Sequence, residues 1–141
     1  MDRLNNFNWM YNQSGVVPFR WGKDGVEILL ITSRSGKRWV IPKGIVEPEL
    51  SPQESAQMEA FEEAGITGKI INETIGTYTY KKWGGTCSVQ VFLLEVEKIF
   101  DEWPEDFFRT REWISVKEAS KRVDEEELKK IIQSIPTYIE K

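Results

Sequence analysis

Short apolar runs separated by glycine turns set the rhythm of this chain, and two stretches of helical spacing interrupt it. Val16-Val17-Pro18-Phe19-Arg20 and Glu27-Ile28-Leu29-Leu30-Ile31-Thr32 flank the turn Gly22-Lys23-Asp24-Gly25, which predicts an antiparallel pair. Arg38-Trp39-Val40-Ile41 predicts a further strand running into Pro42-Lys43-Gly44. Lys69-Ile70-Ile71 and Ile75-Gly76-Thr77-Tyr78-Thr79-Tyr80 carry strand-forming residues. The glycine turn Trp83-Gly84-Gly85-Thr86 then leads back through Ser88-Val89-Gln90-Val91-Phe92-Leu93-Leu94. Arg111-Glu112-Trp113-Ile114 predicts one more short strand.

The first helical stretch is bounded by strong signals. Ser51 is a favoured N-cap, Pro52 falls at the first helical position, and Glu54 stands three residues after the cap. Gly65 supplies a residue able to turn left-handed just past the end, so the helix spans residues 52–64. At roughly 100° per residue, Glu59, Glu62 and Glu63 share one side. Phe61, flanked by Met58 and Ala64, points the other way and is expected to dock on the core. The second helix is expected near the end. There Asp124 can cap with Glu127 three residues on, Val123 can staple to Leu128, and Leu128, Ile131, Ile132 and Ile135 form an apolar face before Pro136.

Charge adds chemistry to the first helix. Glutamates three and four residues apart repel by about 0.2–0.5 kcal/mol per close pair. Their place near the negative end of the helix dipole adds about 0.3–1 kcal/mol for each charge in the last turn. A divalent cation on that side reverses both penalties. The same spacing occurs on solvated helices, so the three glutamates alone do not decide between a metal site and a polar face.

Composition narrows the classes. The chain has 141 residues, 40% of them apolar, which fits one domain with one core. No run of about 18 apolar residues predicts a membrane span. The opening Met1-Asp2-Arg3-Leu4-Asn5-Asn6-Phe7-Asn8 lacks the apolar stretch of a signal peptide. Cys87 is the single cysteine, which rules out an internal disulfide and cysteine-based zinc, and a cytosolic protein is expected. A net charge of −4 disfavours a long nucleic acid as partner, yet allows a small anion when cations reverse the local sign. The chain has no histidine, which removes histidine bases, histidine-dependent nucleophiles and histidine-bound zinc. Carboxylates with an oxygen-bound metal remain the simplest catalytic equipment.

In its register, the segment from Gly44 to Ile66 resembles the Nudix box. That pattern is Gly, five residues, Glu, seven residues, Arg-Glu-apolar-any-Glu-Glu-any-Gly-apolar. Gly44, Glu59, Ala60, Glu62, Glu63, Gly65 and Ile66 match in place, whereas Leu50 stands for the first Glu and Met58 for the Arg. Glu27-Ile-Leu-Leu-Ile-Thr-Ser-Arg, Arg38-Trp-Val-Ile-Pro, Val46-Glu-Pro-Glu and Asp101-Glu-Trp-Pro-Glu with Arg109-Thr-Arg-Glu-Trp are similar to the diphosphoinositol polyphosphate and diadenosine polyphosphate hydrolase branch. The resemblance implies an α/β (α+β) fold, an α/β/α sandwich with a mixed sheet and a loop–helix–loop box.

It also implies magnesium, or manganese, bound by the Gly44 carbonyl and by Glu59, Glu62 and Glu63. Glu62 or Glu63 would be the base for water attack on a small-molecule phosphoanhydride. Arg20, Arg34, Arg38 and Lys43 would contact phosphate, and Arg109 and Arg111 could reach a polyphosphate tail. Glu102 and Glu105 are possible late contributors, and Trp83 is a candidate to stack on a base. Leu50 and Met58 are expected to pack together in place of the family's ion pair. Three readings follow: a metal-dependent hydrolase of a nucleoside or dinucleoside polyphosphate or an inositol pyrophosphate, a catalytically weak nucleotide-sensing module, and an acidic interaction domain. Oligomeric state is not legible.

Overall fold

The computed structural model describes residues 9–139, so the opening residues searched for a leader lie outside it. The first two strands, β1 (Met10–Gly22) and β2 (Gly25–Thr32), form the expected hairpin with Gly22 opposite Gly25. Two short strands follow, β3 (Trp39–Val40) and β4 (Lys43–Ile45), and then helix α1 (Pro52–Ala64). A long hairpin, β5 (Ile66–Lys82) and β6 (Gly85–Ile99), precedes β7 (Arg111–Ser115), α2 (Val116–Arg122) and α3 (Glu126–Gln133).

The sheet is mixed, as expected. β1 runs parallel to β6, from Met10 opposite Thr86 to Phe19 opposite Glu95, and the other described pairings are antiparallel. The free edge of β1 is shared: residues 13–15 pair with β4, and residues 19–22 pair with β2. β1 begins earlier than its apolar run suggests, because polar Asn12, Gln13 and Ser14 still pair with both β4 and β6 or with β6 alone. The two strands expected at 69–71 and 75–80 are one strand with a register irregularity between Ile71 and Gly76.

Alternation along the strands feeds two cores. On one face Val17, Phe19, Leu30, Val89 and Leu93 meet Ala119 of α2 and Leu128, Ile131 and Ile132 of α3. On the other, Val16, Leu29, Ile31, Phe92 and Leu94 meet Ala56, Ala60 and Ala64 of α1. The result is the expected helix–sheet–helix sandwich. The docking face of α1 differs from expectation, however. An alanine stripe at four-residue spacing is buried, while Phe61 is half-buried and makes an edge-on contact with Phe100 at 5.4 Å. Small side chains bring the helix backbone close to the sheet, which a phenylalanine on that face would prevent.

The ends of α1 are fixed as the sequence predicts. The Ser51 hydroxyl accepts from the Glu54 amide at 3.1 Å, and the Glu54 carboxylate accepts from the Ser51 amide at 2.9 Å. Gly65 adopts φ 67°, and a Cβ there would collide with the Trp103 ring and the Arg111 guanidinium. Arg111 donates to the Ala64 carbonyl at 2.7 Å and to the Phe100 carbonyl at 2.7 Å. A cation therefore closes the negative end of α1, supplied by β7 instead of the helix itself.

The C-terminal helices depart from expectation in two ways. α2 was not anticipated, although Ser115 caps it by accepting from the Glu118 amide at 3.0 Å. α3 begins after Glu125 with no side-chain cap. Asp124 instead lies 3.7 Å from Arg38, and the Glu127 carboxylate accepts from the Thr79 amide at 3.0 Å. Tertiary partners thus take both groups expected in the local cap. The apolar face of Leu128, Ile131, Ile132 and Ile135 is buried as expected.

Leu50 and Met58 line one cleft and both are half-buried, so neither is sealed into the core. At that exposure an ion pair in their place would be worth about 0–1 kcal/mol, well below the several kcal/mol of a buried pair.

Close packing of α1 yields a stability prediction. Ala60→Leu, at a position 1% exposed, should destabilise the protein by about 1–3 kcal/mol in urea unfolding. A stability equal to wild type would contradict the tight helix–sheet approach.

Candidate metal and phosphate site

The alanine stripe sets α1 against β4, and the two elements meet at Gly44 and Glu59. A Cβ on Gly44 would overlap the Glu59 carboxylate, so glycine is the residue that lets this side chain lie over the strand. One turn on, the Glu63 carboxylate accepts from the Lys43 amide at 3.2 Å. The Glu59 and Glu63 carboxyl groups stand close together on the same side of α1. Burial, then the nearby Glu63 carboxyl, push the Glu59 carboxyl from an ordinary 4.5 up to about 8. Burial also raises Glu63, with Arg109 and Lys43 pulling the other way.

Two positive charges, Arg109 and Lys43, stand against this pair. The Arg109 side chain is 8% exposed, and it lies 3.7 Å from Glu63 and 2.9 Å from Glu105. It also donates to the Thr32 carbonyl at 2.8 Å, which ties loop 101–110 to the end of β2. The loop is pinned to α1 as well. The Trp103 indole donates to the Glu63 carbonyl at 3.0 Å, and the Glu105 amide donates to the Glu62 carbonyl at 3.1 Å. Lys43 sits 5.3 Å from the centre of the Tyr80 ring, and desolvation lowers its pKa despite the nearby Glu63.

These groups line a cleft of about 460 Å³. Of the residues expected at the site, Gly44, Glu59, Glu63, Arg34, Arg38 and Lys43 line it. Two do not. Arg20 lies at the far end of β1, where its guanidinium meets Glu27 at 2.7 Å and covers the Trp113 ring at 4.2 Å. Glu62 lines an adjoining cleft of about 640 Å³ with Leu50, Met58 and Glu59. Arg34 covers the Phe108 ring at 4.6 Å, and Arg38 stands 3.7 Å from Asp124 and from Glu125.

Two residues gain a clearer place than their sequence context gave them. Glu105 and Arg109 both enter the cleft, whereas Arg111 is committed to the end of α1 and Glu102 is exposed. The spacing of Glu105 and Arg109, four apart, is the one local signal for their contact. Trp83 stands at the rim, 53% exposed, and takes φ 56° in the two-residue turn it makes with Gly84 at φ 71°. A left-handed conformation costs a bulky residue about 1–2 kcal/mol. Its ring is held edge-on to Tyr11 at 5.2 Å, and its carbonyl accepts from the Tyr11 hydroxyl at 3.2 Å.

Could this site hold a metal? Among the described residues, no three His, Cys, Asp or Glu side chains are already drawn together as a metal cluster. The donor chemistry nevertheless fits a hard cation. Glu59 presents its carboxylate oxygens against Gly44 and Glu63 its own beside the Lys43 amide, two carboxylates close enough to share one oxygen-bound ion.

A family model, NUDIX domain, matches residues 12–135. The chloroplastic Nudix hydrolase 21 of Arabidopsis thaliana is 40% identical over 111 residues, covering 74% of this chain and 56% of the relative. Diphosphoinositol polyphosphate phosphohydrolase 3-beta of Bos taurus is 33% identical over 105 residues, covering 73% of this chain and 63% of its own length. The chain thus spans well under the full length of either relative. The crystal structure of the C. elegans Ap4A hydrolase is 24% identical and superposes with a TM-score of 0.76, over 92% of this chain and 98% of that one. That likeness concerns the fold.

The carboxylate pair makes a pH prediction. A carboxyl whose folded pKa is raised binds more protons in the native state than unfolded between about pH 4.5 and 8. Metal-free protein should therefore melt at progressively lower temperature as pH rises through that window, and magnesium should recover most at the alkaline end. Glu59→Gln should flatten the pH dependence. A melting temperature that climbs over the same range would contradict the assignment.

Proposed function

The chain belongs to the Nudix family, and from that membership we propose that it is a divalent-metal-dependent hydrolase of phosphoanhydride bonds in a nucleoside or dinucleoside polyphosphate. The observation that carries this reading is the cleft in which Glu59 and Glu63 face Arg34, Arg38, Lys43 and Arg109. Such a site offers carboxylates for a cation and fixed cations for phosphate oxygens.

Gly44, Glu59 and Glu63, with Glu62 beside them, would hold magnesium or manganese. When bound, the metal neutralises phosphate charge and sharpens a water nucleophile. Arg34, Arg38 and Lys43 orient the phosphate chain, and their charge favours the transition state as it develops on the phosphate oxygens. Water attacks phosphorus while a Glu63 carboxylate oxygen takes its proton, and the bridging P–O bond breaks. Glu63 is preferred to Glu62 as base because it faces the cleft. Arg109 lines the same cleft and holds Glu63 and Glu105 in place. The indole of Trp83 at the rim favours a nucleotide over an inositol pyrophosphate, since a planar base can stack on it.

The plant relative reported above carries a chloroplastic name, and the cytosolic expectation finds no support there. Among the described residues, no helix is long and apolar enough to cross a membrane.

A panel of nucleoside and dinucleoside polyphosphates and inositol pyrophosphates, with magnesium or with chelator, tests the reading. Turnover should need the metal. Glu63→Gln should lower kcat by about 10²–10⁴-fold, and more than Glu62→Gln does. Trp83→Ala should raise KM for nucleotides and leave an inositol pyrophosphate unaffected. Tight magnesium-dependent nucleotide binding without turnover would replace the hydrolase by a sensor. Binding to a basic protein alone would favour an acidic interaction domain.

A further inference from the structure

Among the described residues, Ser14 Oγ is the one buried side-chain polar atom without a hydrogen-bond partner, and Ser14 is 0% exposed. An orphaned hydroxyl in a core forfeits its hydration with nothing in return, so its placement calls for an explanation. A serine that served only to fill space would be better replaced by alanine.

Its position in the sheet supplies the explanation. Along β1, Val17 and Phe19 face the core under α2 and α3, and Val16 faces the core under α1. Strand alternation therefore puts Ser14 on the α1 face. Across the β1–β4 ladder, Ser14 is the Cα partner of Gly44. Directly opposed residues project to the same face of a sheet, with Cβ positions about 4.5–5.5 Å apart. On that face the space a Gly44 side chain would fill is taken by the Glu59 carboxylate. The unpartnered hydroxyl thus neighbours the Glu59 carboxylate.

We propose that Ser14 is a positioning residue for the metal site: its hydroxyl donates to the Glu59 carboxylate when that carboxylate takes up a divalent cation. The inference rests on the metal-site reading given above. A carboxylate ligand leaves oxygen lone pairs to be satisfied by neighbouring donors, and such outer partners orient the ligand and strengthen it. Ser14 supplies a neutral donor from a rigid strand, where a cation would compete with the metal.

Manganese binding, measured by calorimetry on the full chain, and melting of the metal-free protein test this together. Ser14→Ala should bind manganese about tenfold more weakly, as loss of an outer partner does. The same variant without metal should melt at or above the wild-type temperature, because it loses an unsatisfied group. A merely structural serine would give the reverse pattern, a lower metal-free melting temperature with unchanged affinity, and would overturn the proposal. Unchanged affinity at any stability also overturns it and leaves the metal site standing, provided the wild type binds. Failure of the wild type to bind manganese overturns both.

Discussion

The site depends on how closely helix α1 lies on the sheet. Ala56, Ala60 and Ala64 have no side chain beyond Cβ to hold the helix off, and Gly44 has none to hold Glu59 away from β4. This double absence of bulk presses two carboxylates, Glu59 and Glu63, into one partly desolvated place. Packing thereby creates an electrostatic problem, visible in the rise of the Glu59 carboxyl to about 8. A bound cation would resolve it, and the hydrophobic contact of α1 is what maintains it when no cation is present.

The remaining structure can be understood as containing that charge. Arg111 closes the end of α1 from outside the helix, so the glutamates do not sit beside bare carbonyls. Arg109, almost fully buried, spans Glu63 and Glu105 and also holds the Thr32 carbonyl. Loop 101–110 is consequently fastened to both α1 and β2 with little secondary structure of its own. Its function is positional: it delivers Arg109 to the carboxylates, and the Arg111 that follows it at the start of β7 closes the helix end. Arg20, by contrast, answers Glu27 at the far end of β1 and has no part in this arrangement.

Local chemistry was legible wherever it stayed local. The Ser51–Glu54 capping box, the left-handed Gly65 and the glycine turns all appear as their residues imply. What failed to show were contacts between segments distant in sequence. Asp124 looks like a helix cap until Arg38 is brought beside it, and Phe61 looks like the docking residue until the alanine stripe is seen to be the buried one. An alanine stripe carries too little hydrophobic contrast to stand out in a sequence. Arg109 and Arg111, two residues apart, looked equivalent; Arg109 lies in the loop and reaches the carboxylates, whereas Arg111 opens β7 and closes the end of α1. The family pattern located the box, but facing of Glu63 and not Glu62 into the cleft needed the fold.

The most direct measurement is magnesium affinity of Gly44→Ala, by calorimetry, with circular dichroism to verify folding. If close approach of Glu59 to β4 builds the metal site, one methyl group should displace the carboxylate and weaken magnesium by about tenfold or more while the fold persists. Wild-type affinity in a folded Gly44→Ala protein would contradict the account.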